Sequence, residues 1–162
     1  MNTVNQRYYF DANALLKYYQ DENGSLKIRR LVSNSSSPIL ISSLTVLECI
    51  SVVMKYYRLG IFKKKKAKSI INRLNRDRDT HINGKPRPFQ VVPIHEETFL
   101  LAENILQYAF TFDIGSNDAL HLAIVERRQS PFSVILVTSD NSMQLVCERL
   151  SIPFYDPETD EE

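Results

Sequence analysis

Asp11, Glu48, Asp118 and Asp140 each stand where an apolar run meets a segment of helical character: YYFDANALLKYY, ISSLTVLECISVV, GSNDALHLAIV and VILVTSDNSMQLV. One acid at such a junction carries little information, because Asp is a common helix cap. Four such junctions in a chain of 162 residues point to carboxylates gathered at one end of a sheet. Gathered carboxylates repel one another unless positive charge lies among them, and a hard divalent cation is the usual answer. Oxygen donors without a His or Cys cluster select Mg2+ or Mn2+ over zinc. A site of that kind lowers the pKa of a bound water and offsets charge on a phosphate ester under attack.

Each acid also has a purely structural use. Asp11 can cap a helix starting near Ala14, and Asp140 one starting at Asn141. Glu48 completes Thr45-x-x-Glu48, the pattern of a capping box. Asp118 can favour the positive end of its own helix, with Ser116 or Asn117 as cap. These uses explain the acids one at a time better than jointly. Ser42 and Ser43 already supply caps ahead of Glu48, and the runs before Asp11 and Asp140 are too apolar to need an acid.

The elements that must position these residues follow from periodicity. Strands are expected at Arg7–Phe10, Ile39–Ile41, Gln90–Ile94 and Val134–Thr138, with Phe154–Tyr155 as an edge strand. Helices are expected from Ala14, over Ser25–Val32 and Leu44–Arg58, from Ile61 with the apolar stripe Phe62, Ala67, Ile70, Ile71 and Leu74, and over Thr98–Phe110, Asp118–Gln129 and Asn141–Leu150. Ser33–Pro38 and Asp79–Pro88 read as loops, and the acidic end DPETDEE as loose. Strands alternating with helices predict an α/β sandwich around a mostly parallel sheet. In such sheets ligands gather beyond the carboxyl ends of the strands. Asp11 and Asp140 follow strands directly, and Glu48 and Asp118 are expected in the first turns of helices lining the same opening.

The whole chain is that of one domain over residues 1–157, followed by an acidic tail at 158–162. It is long enough to bury a core without cross-links. Cys49 and Cys147 are too few and too far apart for a disulfide framework or a zinc site, and their apolar neighbours predict buried thiols. The first residues lack a basic start followed by an apolar stretch, and no run reaches the length of a membrane span, so a cytoplasmic location is expected.

Four stretches carry a resemblance. Tyr9-Phe10-Asp11 with Ala14-Leu15-Leu16-Lys17, Ile41-Ser42-Ser43-Leu44-Thr45 with Glu48, Asp118-Ala119-Leu120-His121-Leu122-Ala123, and Val137-Thr138-Ser139-Asp140 together resemble PIN-domain ribonucleases, in particular VapC-type toxins. The similarity runs from about Tyr8 to Pro157. It implies a three-layer α/β/α sandwich, a Mg2+- or Mn2+-dependent endoribonuclease, a homodimer and a small antitoxin partner. Hydrolysis would leave a 5′-phosphate and a 3′-hydroxyl. By motif position, Asp11, Glu48, Asp118 and Asp140 carry over as the acidic site. Asp11 and Asp118 are then the direct metal ligands, Asp140 binds the metal directly or through water, and Glu48 orients or deprotonates the attacking water. Family members often carry Thr or Ser just after the first Asp, where this chain has Ala12 and Asn13; Asn13 can still hydrogen-bond in support. Ser139 can position phosphate or complete a turn. A PIN-like module that holds RNA or protein without cutting is the alternative.

The net charge of +1 hides an asymmetry. Between Lys55 and Pro88 lie 12 of the 20 Lys and Arg residues against only Asp77 and Asp79. Lys63, Lys64, Lys65, Lys66 and Lys68, with Arg73 and Arg76, can grip a phosphate backbone or form a solvated helix face. The segment is longer and more basic than a compact VapC-type toxin needs. His121 shares a helix face with Asp118 and can reach the site or pack on the sheet. Asn117 is open in the same way.

Overall fold

A computed structural model describes residues 5–78 and 87–159. In chain order the elements are β1 (Gln6–Phe10), α1 (Ala12–Tyr19), α2 (Ser25–Asn34), β2 (Ile39–Ser42), α3 (Ser43–Arg58), α4 (Lys64–Asp77), β3 (Phe89–Val92), α5 (Glu96–Tyr108), α6 (Ser116–Glu126), β4 (Ser133–Val137), α7 (Asn141–Leu150) and β5 (Phe154–Tyr155). All strand pairs are parallel, in the order β3-β2-β1-β4-β5.

Side chains alternate across a strand, and two separate cores result. Phe10, Ile39, Ile41, Phe89 and Val137 pack with apolar residues of α1 to α4. Tyr9, Leu40, Val92, Val134 and Leu136 pack with residues of α5, α6 and α7. The sheet is thus covered on both faces: the α/β sandwich that the alternating pattern predicts, in the three-layer α/β/α form that the resemblance implies. Both cysteines are free and buried in these cores.

The chain leaves β1 towards β2 and β3, then returns to the other side of β1 for β4 and β5. The β1–β4 junction is therefore the topological switch point, where a crevice opens at the carboxyl ends of parallel strands. Phe10 pairs with Val137 as the last rung of that junction, and Asp11 and Thr138 emerge beside each other from it.

Several boundaries differ from expectation for local reasons. Ser33 and Asn34 close α2 instead of opening the loop. β3 stops at Val92 because Pro93 has no amide for the ladder. The expected loop at Asp79–Pro88 lies outside the described residues except for Arg87 and Pro88. The acidic end is not loose throughout: Pro157 is buried, and Glu158 pairs at 2.5 Å with Lys17, itself only 5% exposed. Gly24 makes that packing possible. Its φ of +82° suits glycine, and a Cβ there would stand 2.9 Å from the Pro157 carbonyl oxygen.

Candidate active site

Asp11, Glu48, Asp118 and Asp140 line one small cavity of about 130 Å³ at the switch point. Ala12, Asn13, Val52, His121 and Met143 complete its walls. The acids are brought there by four helices. Asp11 caps α1, its Oδ1 accepting from the Ala14 amide at 2.8 Å. Asp140 caps α7, its Oδ1 accepting from the Met143 amide at 2.9 Å. Asp118, at the third position of α6, reaches back to accept from the Gly115 amide at 2.9 Å.

The structural and chemical uses of these aspartates therefore coexist. A carboxylate has two oxygens and about four acceptor positions, so one amide bond leaves most of its capacity facing the cavity. Asp118 uses Gly115 as its cap, not Ser116 or Asn117.

Glu48 corrects the sequence reading twice. It stands in the second turn of α3, not the first, and it takes no part in a capping box. That box is Ser42-x-x-Thr45: the Thr45 amide donates to Ser42 Oγ at 3.1 Å and the Ser42 amide to Thr45 Oγ1 at 3.2 Å. Glu48 instead reaches across to α6. Its Oε2 lies 2.6 Å from His121 Nε2, and its Oε1 accepts from Asn117 Nδ2 at 2.8 Å.

The electrostatics carry the mark of burial first and of crowding second. Burial raises the Asp11 carboxyl above its ordinary value; the Ala14 amide and the Thr138 hydroxyl offset part of this, and the Glu48 charge adds to it. Burial also raises Asp118, and the charges of Asp140 and Glu48 push it further against the offsetting Gly115 amide. Glu48 moves the other way. Burial would raise it, but the bond and charge of His121 together with the Asn117 amide hold it below its ordinary value.

Oxygen donors with unspent acceptor capacity and mutual repulsion suit a hard cation that keeps part of its water shell. Among the described residues, no three His, Cys, Asp or Glu side chains stand close enough together to grip one ion directly. The donor chemistry fits such an ion; a closed ligand cage is not formed by these residues as they stand.

The remaining candidates separate. Asn13 is exposed and lines the cavity. Ser139 is half-buried and stands outside that lining. Lys63, Lys64, Lys65, Lys66, Lys68, Arg73 and Arg76 are arrayed along α4 and its cap, away from the cavity walls. Lys66 Nζ rests 4.4 Å over the Phe62 ring, Arg73 lies 5.1 Å over Tyr19, and Arg76 Nε is 3.4 Å from Asp77. Phe62 is buried with Tyr56 edge-on to it, which leaves Tyr57 as the exposed aromatic of that region. Met143, in the cavity wall, and Tyr9, whose hydroxyl lies 2.7 Å from His121 Nδ1, are not among the residues expected from sequence. A Tyr within a buried strand and a Met on a helix both read as core, and nothing local marks them otherwise.

No curated protein matches the chain. The fold is similar to that of several solved structures. FitAB, in a complex with a DNA fragment, aligns with TM-score 0.68 and 17% identity over 96% of this chain and 98% of that one. VapC20 of Mycobacterium tuberculosis, described as a Sarcin-Ricin loop cleaving toxin, aligns with TM-score 0.62 and 13% identity over 85% and 93%. VapBC2 of Rickettsia felis, bound to a DNA fragment from its promoter, aligns with TM-score 0.60 and 15% identity over 92% and 97%. A family model described as PIN domain matches residues 8–148.

Proposed function

The chain belongs to the PIN domain family, and from that premise we propose that it is a divalent-metal-dependent endoribonuclease, the toxin of a toxin–antitoxin pair. The observation that carries this reading is the convergence of Asp11, Glu48, Asp118 and Asp140, from four separate elements, on one cavity at the switch point. The Asp11 and Asp118 carboxyls, raised first by burial and then by the charges of neighbouring acids, support it, because a cation among them would favour their ionised forms. The likeness to VapC20, a Sarcin-Ricin loop cleaving toxin, supports RNA as the substrate class.

Asp11, Asp118 and Asp140 are the residues that would hold Mg2+ or Mn2+. Such an ion, when bound, lowers the pKa of a water and offsets charge on the phosphate. Glu48 orients the attacking water from α3, and the exposed Asn13 supports the substrate phosphate. Ser139 has a lesser supporting part, behind Asp140. The lysines of α4 with Arg73 and Arg76 bind the RNA backbone electrostatically, and Tyr57 is available to stack on a base. Exposed Phe99, Leu100 and Tyr108 of α5, with Phe110 just beyond it, support protein contacts, as expected of a homodimer with a cognate antitoxin.

The test is cleavage of end-labelled structured RNA by the native chain and by Asp118→Asn. The native chain should cut in Mg2+ or Mn2+ and stop in excess EDTA, and the variant should not cut. Cleavage that persists in EDTA would overturn the mechanism. Binding without cutting under every metal condition would identify a non-catalytic binding module instead.

A further inference from the structure

Asn117 and His121 are four residues apart on α6, so they project from one face of that helix. Both meet Glu48 of α3, one on each carboxylate oxygen, at 2.8 and 2.6 Å. Behind the ring, His121 Nδ1 lies 2.7 Å from the hydroxyl of Tyr9, which is fully buried in β1. That hydroxyl also meets Ser42 Oγ at 2.9 Å and Thr45 Oγ1 at 3.1 Å.

A carboxylate only accepts, so the 2.6 Å contact with Glu48 Oε2 takes its proton from His121 Nε2. Thr45 Oγ1 donates its proton to the Phe10 carbonyl at 3.1 Å, so it has none to give Tyr9. The shortest hydrogen bond of Tyr9 is the one to His121 Nδ1. Placing the phenol proton there makes Nδ1 an acceptor and leaves the Nε2 proton aimed at Glu48. The tautomer is thus assigned from the network.

A buried polar chain of this length is costly unless every member is satisfied. A glutamate side chain that is 25% exposed has no need of it, since water would satisfy the carboxylate. The chain is explained if Glu48 must hold one orientation. We propose that Asn117 and His121 are positioning residues of the cleavage reaction, fixing the Glu48 carboxylate towards the cavity while Tyr9 locks the imidazole tautomer. The proposal rests on the nuclease reading. Two lone-pair positions of Glu48 remain beyond the two bonds, and these face the attacking water.

The experiment compares native chain, His121→Leu, His121→Gln and Asn117→Ala on labelled RNA in Mn2+, with circular dichroism of each variant. An outer-shell partner of this kind is expected to be worth about 10- to 100-fold. His121→Leu should lower kcat by that factor with little change in KM, and Asn117→Ala should lower it less. His121→Gln, whose amide can donate from near the Nε2 position, should recover most of the rate. A folded His121→Leu with native kcat overturns the proposal, as does a folded Gln variant no better than Leu. Nitrogen NMR of the native imidazole should find Nε2 protonated without any metal or RNA; a bare Nε2 overturns it independently. A native chain that leaves RNA intact while Nε2 is protonated overturns the nuclease reading, and the catalytic claim with it, and the native control tells this apart from the other failures.

Discussion

Asp11 is both the cap of α1 and a wall of the acid cavity, and the two uses can be separated by mutation. Asn caps about as well as Asp, so Asp11→Asn should keep the fold while removing one charge from the cluster. In EDTA its unfolding free energy should equal or exceed the native value, and its RNA cleavage should be abolished. Acidity adds a sign. The folded state holds the Asp11 carboxyl above its ordinary 3.8, so it binds that proton more tightly than the unfolded chain does. The contribution to stability is therefore full below 3.8 and disappears as pH rises through the raised folded value. The native-minus-variant stability difference, from urea unfolding in EDTA, should fall across that window and then level off; a difference that rises with pH would contradict the assignment. The four acids were legible because acids at the ends of apolar runs violate the local pattern. The partner of His121 was not, because Glu48 lies 73 residues away on another helix and no local spacing encodes that pairing.

Helix α4 tests the electrostatic part. Its N-cap is Lys63 with no side-chain cap bond, and its first turn holds lysines and no acid. Positive charge at the positive end of a helix dipole is unfavourable, by about 0.3–1 kcal/mol for each residue. Replacing Lys64 and Lys65 by Glu should therefore raise the unfolding free energy while weakening RNA binding, opposite signs that a solvated-face role does not predict. The slope of log affinity against log salt should become shallower by about 0.7 for each phosphate that the variant no longer neutralises. Binding that matches the native chain at low salt would assign the lysines to something other than RNA. The stripe Ala67, Ile70 and Leu74 made this helix readable from sequence, and it is buried as expected. The capping of α3 was readable in part: Ser42, one of the two expected caps, is the N-cap, but its box partner is Thr45 and not Glu48. Ser42-Ser43-x-Thr45-x-x-Glu48 offers several capping registers, and the end of β2 together with the Tyr9 hydroxyl decided among them.

At the scale of the whole molecule, alternation of strand and helix was enough to predict layers and a parallel sheet. It could not give the strand order, because which side of β1 receives β4 depends on how two apolar faces are shared among the helices. The fastening of the chain end was also hidden, since DPETDEE has the composition of a free tail yet its proline packs on Gly24. Gly24→Ala should cost about 1–2 kcal/mol from the left-handed backbone alone, with more from the Pro157 clash. Urea unfolding measures it, and an unchanged midpoint would show that the packing is not formed. The central claim is that acids from four elements converge to take up one kind of ion. Calorimetric titration of Mn2+ into the native chain and into Asp11→Asn tests it most directly. Saturable uptake by the native chain and its disappearance in the variant is the predicted result; no uptake, or equal uptake by both, would contradict it.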